Sequence, residues 1–453
     1  MLTLLAFIVA LGLLITIHEY GHYRVAIACG VKVLRFCIGM GPPLLRWKRN
    51  GSDTEFMIAA FPLGGYVRML DERDSQVSDH ERHLAFNTQP LRIRAAIVAA
   101  GPIANLLLAV LLYTVINWAG IQAPQAILAP PALGSLAAQA GLQGQERVHS
   151  VSLGQGMSPR TIHSFDDLRW QLTKAAAWEQ DIWLHVSAQD GSEGRSVLLP
   201  LATKVGNGMD TTLMADIGIQ NPWTPPRIGH VVANQPAQQA GLQAGDTVLH
   251  IDGVPVVDGS GLRQQIRTSL QGVEQVWQIQ RGEQRLKLRV TPERVHVNGG
   301  KDDYGRIGAI VGGPPAVVML QFGLLEGLWA GLHKTWDIAT LNLNMMGKML
   351  TGQASFKHLS GPLSIADYAG QSASLGWSHY VLFLALLSVS LGVLNLLPLP
   401  VLDGGHLMYY LWEGVTGRPV SNVWMERSQR FGAVLLLMMM SIAFYNDISR
   451  LWG

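Results

Sequence analysis

Residues Met1 to Ile17 carry no charged side chain, and this apolar run ends in His18-Glu19-Tyr20-Gly21-His22. A stretch of that length and apolarity belongs in a bilayer, where the backbone must satisfy its own hydrogen bonds and therefore forms a helix. On a helix, positions i and i+4 share a face, so His18 and His22 are placed to hold one metal ion, with zinc the ion that suits such a pair. Glu19 stands beside them, where a carboxylate can take a proton from an attacking water. The plain alternative is that these side chains are merely solvated at a helix end. Ionisable groups at bilayer depth are expensive, and that favours the functional reading.

The rest of the chain agrees with a membrane setting. Apolar residues make up 48% of the 453 and charged residues only 15%, too few charges for an ordinary soluble protein of this size. A net charge of +2 points away from nucleic acid as a partner. Cys29 and Cys37 are the two cysteines and suggest no disulfide framework. Four segments are expected to cross the membrane: 1–29 with the histidine motif, 95–120, 376–403 and 431–446. The apolar core of the last, Phe431 to Tyr445, falls short of the roughly 20 residues a span needs and is expected to borrow flanking residues. Region 311–375 is apolar from Pro315 but interrupted by Glu326, and is expected to lie on the membrane or against other helices. Residues 404–430 read as a loop. A cleaved signal is the other reading of the first segment, but it has no basic residue before Arg24 and would discard the histidine motif.

Charge sets the topology. Arg24, Lys32, Arg35, Arg46, Lys48 and Arg49 follow the first segment before any acid appears at Asp53, and Arg92 and Arg94 precede the second. The positive-inside rule puts 30–94 in the cytoplasm and the long stretch after the second segment outside. The third segment then runs inward and brings Asp403 to the side that holds His18 and His22. A catalytic zinc takes three protein ligands and keeps one position open, so Asp403 is the candidate third ligand. Pro398 and Pro400 leave backbone free nearby, although Pro-x-Pro before Asp-Gly-Gly is also ordinary turn chemistry. Within 30–94, Val31 to Ile38 and Phe56 to Phe61 are β-prone and punctuated by glycines, which predicts a small β-sheet beside the first helix.

His18 to His22, Gly101-Pro102-Ile103-Ala104-Asn105 and Asn395 to Gly405 (NLLPLPVLDGG) together resemble the site-2 protease family of intramembrane zinc metalloproteases, as does Pro62 to Leu70. The likeness runs over nearly the whole chain and is strongest to bacterial members with a large external insert. It implies that His18, His22 and Asp403 bind Zn2+, that Glu19 is the catalytic acid and base, and that Asn395, Pro398 and Pro400 help hold the substrate. It also implies an inner-membrane enzyme whose partners are single-span membrane proteins of the anti-sigma factor type, already trimmed outside, with signal-peptide remnants as further substrates and membrane lipid around it.

The insert repeats itself. Gln139-Ala140-Gly141-Leu142-Gln143 and Val148 recur as Gln239-Ala240-Gly241-Leu242-Gln243 and Val248, an offset of 100 residues. Ala240 to Gly253 resembles a PDZ domain, which predicts PDZ-like domains over 121–220 and 221–310, joined to the membrane part by a Pro/Ala-rich linker over 122–132. The first copy departs from the pattern at Gly144-Gln145-Glu146. Such modules take peptide ends as an added strand, or here serve as a size filter over the site. His149, His163, His185, His230 and His250 form no ligand cluster and read as ordinary surface or strand residues.

The fold expected is a polytopic α-helical membrane protein of about four transmembrane helices, a small membrane-associated β-sheet and two periplasmic PDZ-like α/β domains. The function expected is intramembrane zinc endopeptidase. A catalytically inactive scaffold would have no use for Glu19 beside a full ligand set. A transporter would carry polar residues along several helices, whereas the second offers little beyond Asn105, Thr114 and Asn117.

Overall fold

The computed structural model describes every residue except 74–76, 155–157, 189–193, 205–212, 270–272, 296–303, 353–360 and 453. It divides into two compact units, one of residues 1–121 and 321–453, the other of residues 122–320.

The first unit contains helices α1 (Leu2–Ala28), α2 (Leu91–Ala119), α3 (Leu324–Leu350), α4 (Pro362–Ser374), α5 (Trp377–Asn395), α6 (Asp403–Thr416) and α7 (Asn422–Trp452). Of these, α1, α2, α5 and α7 are long and apolar enough to cross a bilayer. Lipid tails are as apolar as leucine, so membrane helices associate through small residues and interhelical hydrogen bonds. Both devices appear here. A Cβ on Gly21 of α1 would lie 2.4 Å from the Ala100 carbonyl of α2, so only glycine lets the two backbones meet. On the other side of α2, the Ser388 hydroxyl of α5 donates to the Asn105 carbonyl at 2.7 Å.

The helix boundaries differ from the sequence expectation in three places. The third span stops at Asn395 and does not continue to residue 403; Leu396 to Leu402 form a turn, because Pro398 and Pro400 have no amide to give a helix. Asp403 opens a new helix, α6, inside the 404–430 stretch read as loop, and as an acid in a first turn it suits the helix dipole. The fourth span is the longer α7, with residues 423–449 as its apolar candidate span. Its polar end is satisfied: Asp447 accepts from the amides of Gly361, Leu363 and Ser364 at 2.9–3.1 Å, capping the start of α4. Helix α3 packs along its neighbours, with Gly331 against Thr114 of α2 and the Asn342 amide donating to Ser390 of α5 at 3.3 Å.

Between α1 and α2 lie β1 (Val33–Lys48) and β2 (Glu55–Met69). The first part of β1 runs between two halves of β2, so that Ile38 pairs with Gly65 on one side and Ile58 on the other. The outer half, Gly65 to Met69, passes beside α1.

In the second unit the sequence repeat is also a structural one. Arg147–Leu153 sits between Arg160–Thr161 and Ile182–Ser187, with Arg195–Leu199 beyond; Thr247–Ile251 sits between Val254–Pro255 and Gln275–Arg281, with Gln284–Val290 beyond. Each sheet packs one amphipathic helix, Phe165–Ala177 through Leu168 and Leu172, and Gly259–Thr268 through Leu262 and Ile266. The departure at Gly144 to Glu146 keeps a latch common to both copies. Glu146 accepts from the Gln143 amide at 2.8 Å and from Arg195, as Asp246 accepts from the Gln243 amide at 2.8 Å and from Arg281. His149 and His185 hydrogen-bond serines on neighbouring strands.

Burial pushes the Asp246 carboxyl up, but the Arg281 guanidinium and the Gln243 amide outweigh it and hold it below its ordinary value. A depressed carboxylate contributes stability that is full above its ordinary range and lost as the pH falls through and below that range. Arg281→Met therefore leaves a carboxylate, its side chain 1% exposed, with the Gln243 amide but no charged partner. The expected loss at neutral pH is roughly 2–3 kcal/mol, below that of a fully buried pair because the guanidinium is partly solvated. Urea unfolding of residues 122–320 at pH 7 and pH 4 checks this: the gap between variant and parent should narrow at the lower pH, and an equal gap at both would refute it.

Candidate metal centre

The spacing of His18 and His22 on α1 puts both rings on the face that meets α2, and the turn after α5 brings Asp403 to them from the far end of the chain. His18 Nε2 lies 3.1 Å from Asp403 Oδ2, His22 Nε2 lies 3.5 Å from the same oxygen, and the two Nε2 atoms are 3.2 Å apart. A tetrahedral zinc with bonds near 2.0–2.1 Å requires ligand atoms about 3.3 Å from each other. The three donors therefore fit a zinc ion, with a fourth corner left for water or substrate. Among the described residues this is the one group of His, Cys, Asp or Glu side chains placed to share a metal.

The surroundings hold the ligands in place. The Nδ1 of His22 bonds to the Ile97 carbonyl of α2 at 2.8 Å, which leaves Nε2 free to coordinate. Next to that carbonyl, Pro102 removes the amide that would have bonded to Val98. Gly101 is the floor of the site: a Cβ there would fall 2.2 Å from His22 Nε2 and 2.8 Å from His18 Cε1. Gly65 of β2 is as constrained, since its Cβ would come within 2.9 Å of Glu19 Cγ.

Glu19 and the three candidate ligands open onto one cavity of about 790 Å³. Its walls include Gly65 to Met69 of β2, Arg94 and Ile97 of α2, and His406, Tyr410 and Glu413 of α6. Arg94 ties α2 to α6, donating to Glu413 at 2.6 Å with its guanidinium 5.1 Å from the Tyr410 ring centre. Burial, aided by Arg73 and opposed by Asp403, holds the His406 imidazole below its ordinary value, so it faces the cavity as a neutral ring.

The structure thus gathers His18, Glu19, His22 and Asp403. It does not bring Asn395 or Pro398 to the cavity wall, and Pro400 lines a smaller neighbouring cavity of about 430 Å³ that shares His406 and Gln429 with the first. Sequence reasoning gave no role to Ile97, Gly101, Gly65 or the Arg94–Glu413 pair. Gly101 stood within a recognised motif, but a motif does not say what presses on the glycine.

Gly101→Ala should drive both histidines from their positions and lower zinc affinity at least about tenfold, in the range seen when supports of metal ligands are removed. Titration of purified protein against a chelator of known affinity measures this. Unchanged affinity would mean that α2 can back away from α1 at no cost to the site.

Residues 6–439 match the model of peptidase family M50. A Ralstonia nicotianae protein whose name is that of a zinc metalloprotease is 39% identical over 460 residues, covering 100% of this chain and 99% of its own. The regulator of sigma E protease of Salmonella typhi is 38% identical over 453 residues (99% and 98%). The regulator of sigma-E protease RseP of Escherichia coli K12 is 37% identical over 459 residues (99% and 98%).

Proposed function

The chain belongs to peptidase family M50, the site-2 protease family, and is a zinc metalloprotease; from that premise we propose that it cuts single-span membrane proteins within or beside their transmembrane segments. The observation that carries this reading is that Asp403 of α6 meets His18 and His22 of α1, a helix apolar enough to span a bilayer, with Glu19 in the same cavity. His18, His22 and Asp403 would hold the metal, which when bound lowers the pKa of water and polarises the scissile carbonyl. Glu19 takes the proton of the attacking water and returns it to the leaving amine. An inactive scaffold has no need of that carboxylate at the metal cavity.

A transmembrane helix hides its carbonyls in hydrogen bonds, so the substrate must be extended before it is cut. The outer half of β2, Gly65 to Met69, has its pairing partners on one side and lines the cavity, which suits it to take the substrate as an added strand. Asn395, Pro398 and Pro400 are assigned to substrate holding outside the cavity wall itself. The basic residues after α1 support a site toward the cytoplasm of an inner membrane, with the repeated insert, read as two PDZ-like modules, in the periplasm. There it would exclude substrates with bulky outer domains or capture their trimmed ends. The relatives' names, regulators of sigma E, support an anti-sigma factor as the physiological substrate; in the same reading it is cut first on its outer side, and signal-peptide remnants are further substrates.

Purified protein in detergent should cut a model single-span polypeptide at a bond inside its apolar segment. Chelation should stop the reaction and added zinc should restore it, with products mapped by mass spectrometry. Cleavage confined to soluble flanks, or unaffected by chelation, would overturn the proposal.

A further inference from the structure

The zinc reading requires His18 to coordinate through Nε2, the atom that faces Asp403 and His22 at 3.1 and 3.2 Å. A neutral imidazole that offers the Nε2 lone pair carries its proton on Nδ1, and at this depth that N–H needs an acceptor. His22 has one in the Ile97 carbonyl. What stands at His18 Nδ1 is Asn105, with its amide nitrogen 3.4 Å away, a donor facing a donor. The same side chain shows a second anomaly. Asn105 is 1% exposed, and its Oδ1 is buried without a hydrogen-bond partner. A half-turn of the amide, which exchanges the places of oxygen and nitrogen, ends the donor–donor contact and gives the oxygen a partner. The oxygen then accepts from His18 Nδ1–H.

The geometry points to Asn105 as the positioning residue that holds His18 in its zinc-binding tautomer. The inference rests on the proposed ligand set and deepens it. It also gives a reason for the Asn105 position. Its carbonyl receives the Ser388 hydroxyl at 2.7 Å, which pins α5 to α2 at the level of the metal, while its side chain reaches the other way, to α1. One residue therefore links the helix of the histidines to the helix that leads to Asp403. Outer partners of ligating histidines fix the ring and raise its basicity, and their loss costs about 10–100-fold in metal affinity.

The test uses the full-length chain without substrate, measuring zinc affinity by competition with a chelator of known strength. Asn105→Leu, which removes the acceptor at similar size, should lower affinity about 10–100-fold, and Asn105→Asp, which is acceptor-only, should restore it to within about threefold of the parent or exceed it. Zinc affinity of Asn105→Leu equal to the parent's overturns the inference. So does an Asn105→Asp protein as weak as Asn105→Leu, because the amide would then have been needed as a donor. Should Asn105→Leu fail to fold, Asn105→Asp decides alone: retained or increased affinity supports the acceptor role, and a tenfold loss refutes it. A parent protein that binds no zinc would instead overturn the ligand set on which the inference stands.

Discussion

Glu19→Gln is expected to abolish cleavage while leaving zinc in place. The substitution keeps the size of the side chain and removes only its ability to take up and return a proton. Glu19 is outside the group that shares the metal, yet it lines the same cavity, where only a glycine at position 65 of β2 leaves room for it. General acid–base catalysis contributes about 10²–10⁴-fold, and here one residue serves both proton transfers, so the upper end or beyond is expected. Metal analysis of the purified variant should show the parent's zinc content, and cells that carry it should accumulate uncut membrane fragments. Cleavage at more than about a tenth of the parental rate would exclude Glu19 as the general base.

Asp403→Ala should lose metal and activity together. Two histidines hold zinc poorly, and the carboxylate supplies the third corner, 3.1 and 3.5 Å from the two imidazole nitrogens. The contrast with Glu19→Gln is the informative part: one variant is loaded and inactive, the other empty and inactive. Asp403 also opens α6, so the competing account makes it a helix-start residue alone. Under that account the variant would keep its zinc and turn over at a normal rate once folded, and either observation would remove Asp403 from the ligand set.

Much of the membrane unit was legible in advance because its signals are local. Uncharged runs mark helices, and the i, i+4 spacing puts His18 and His22 on one face. The repeat at an offset of 100 residues appears in the structure as two sheets of the same strand order. The third span was read too long because the apolar run continues past Asn395 to Leu402, while its prolines end the helical bonding earlier. The last span extends beyond 431–446, as its short apolar core required, and its polar Asp447 is satisfied by amides at the start of α4. Glu326 marked the region of α3 as one that lies on the membrane or against other helices, but hydropathy could not say that α2 is the neighbour.

The sequence by itself determined the chemistry available: two histidines on one helical face with a glutamate beside them, an aspartate with no fixed distance to them, and enough apolar length to bury the site. Helical spacing converts directly into position over a turn or two, so those statements needed no fold. Only the tertiary structure decided that Asp403 meets the histidines, that Gly101 and Gly65 yield the space they occupy, and that Asn105 stands at the remaining ring nitrogen. These are matters of fit between surfaces far apart in the chain. Their distances come from close packing of α1, α2, the turn after α5 and β2, and no periodicity in any one segment encodes them.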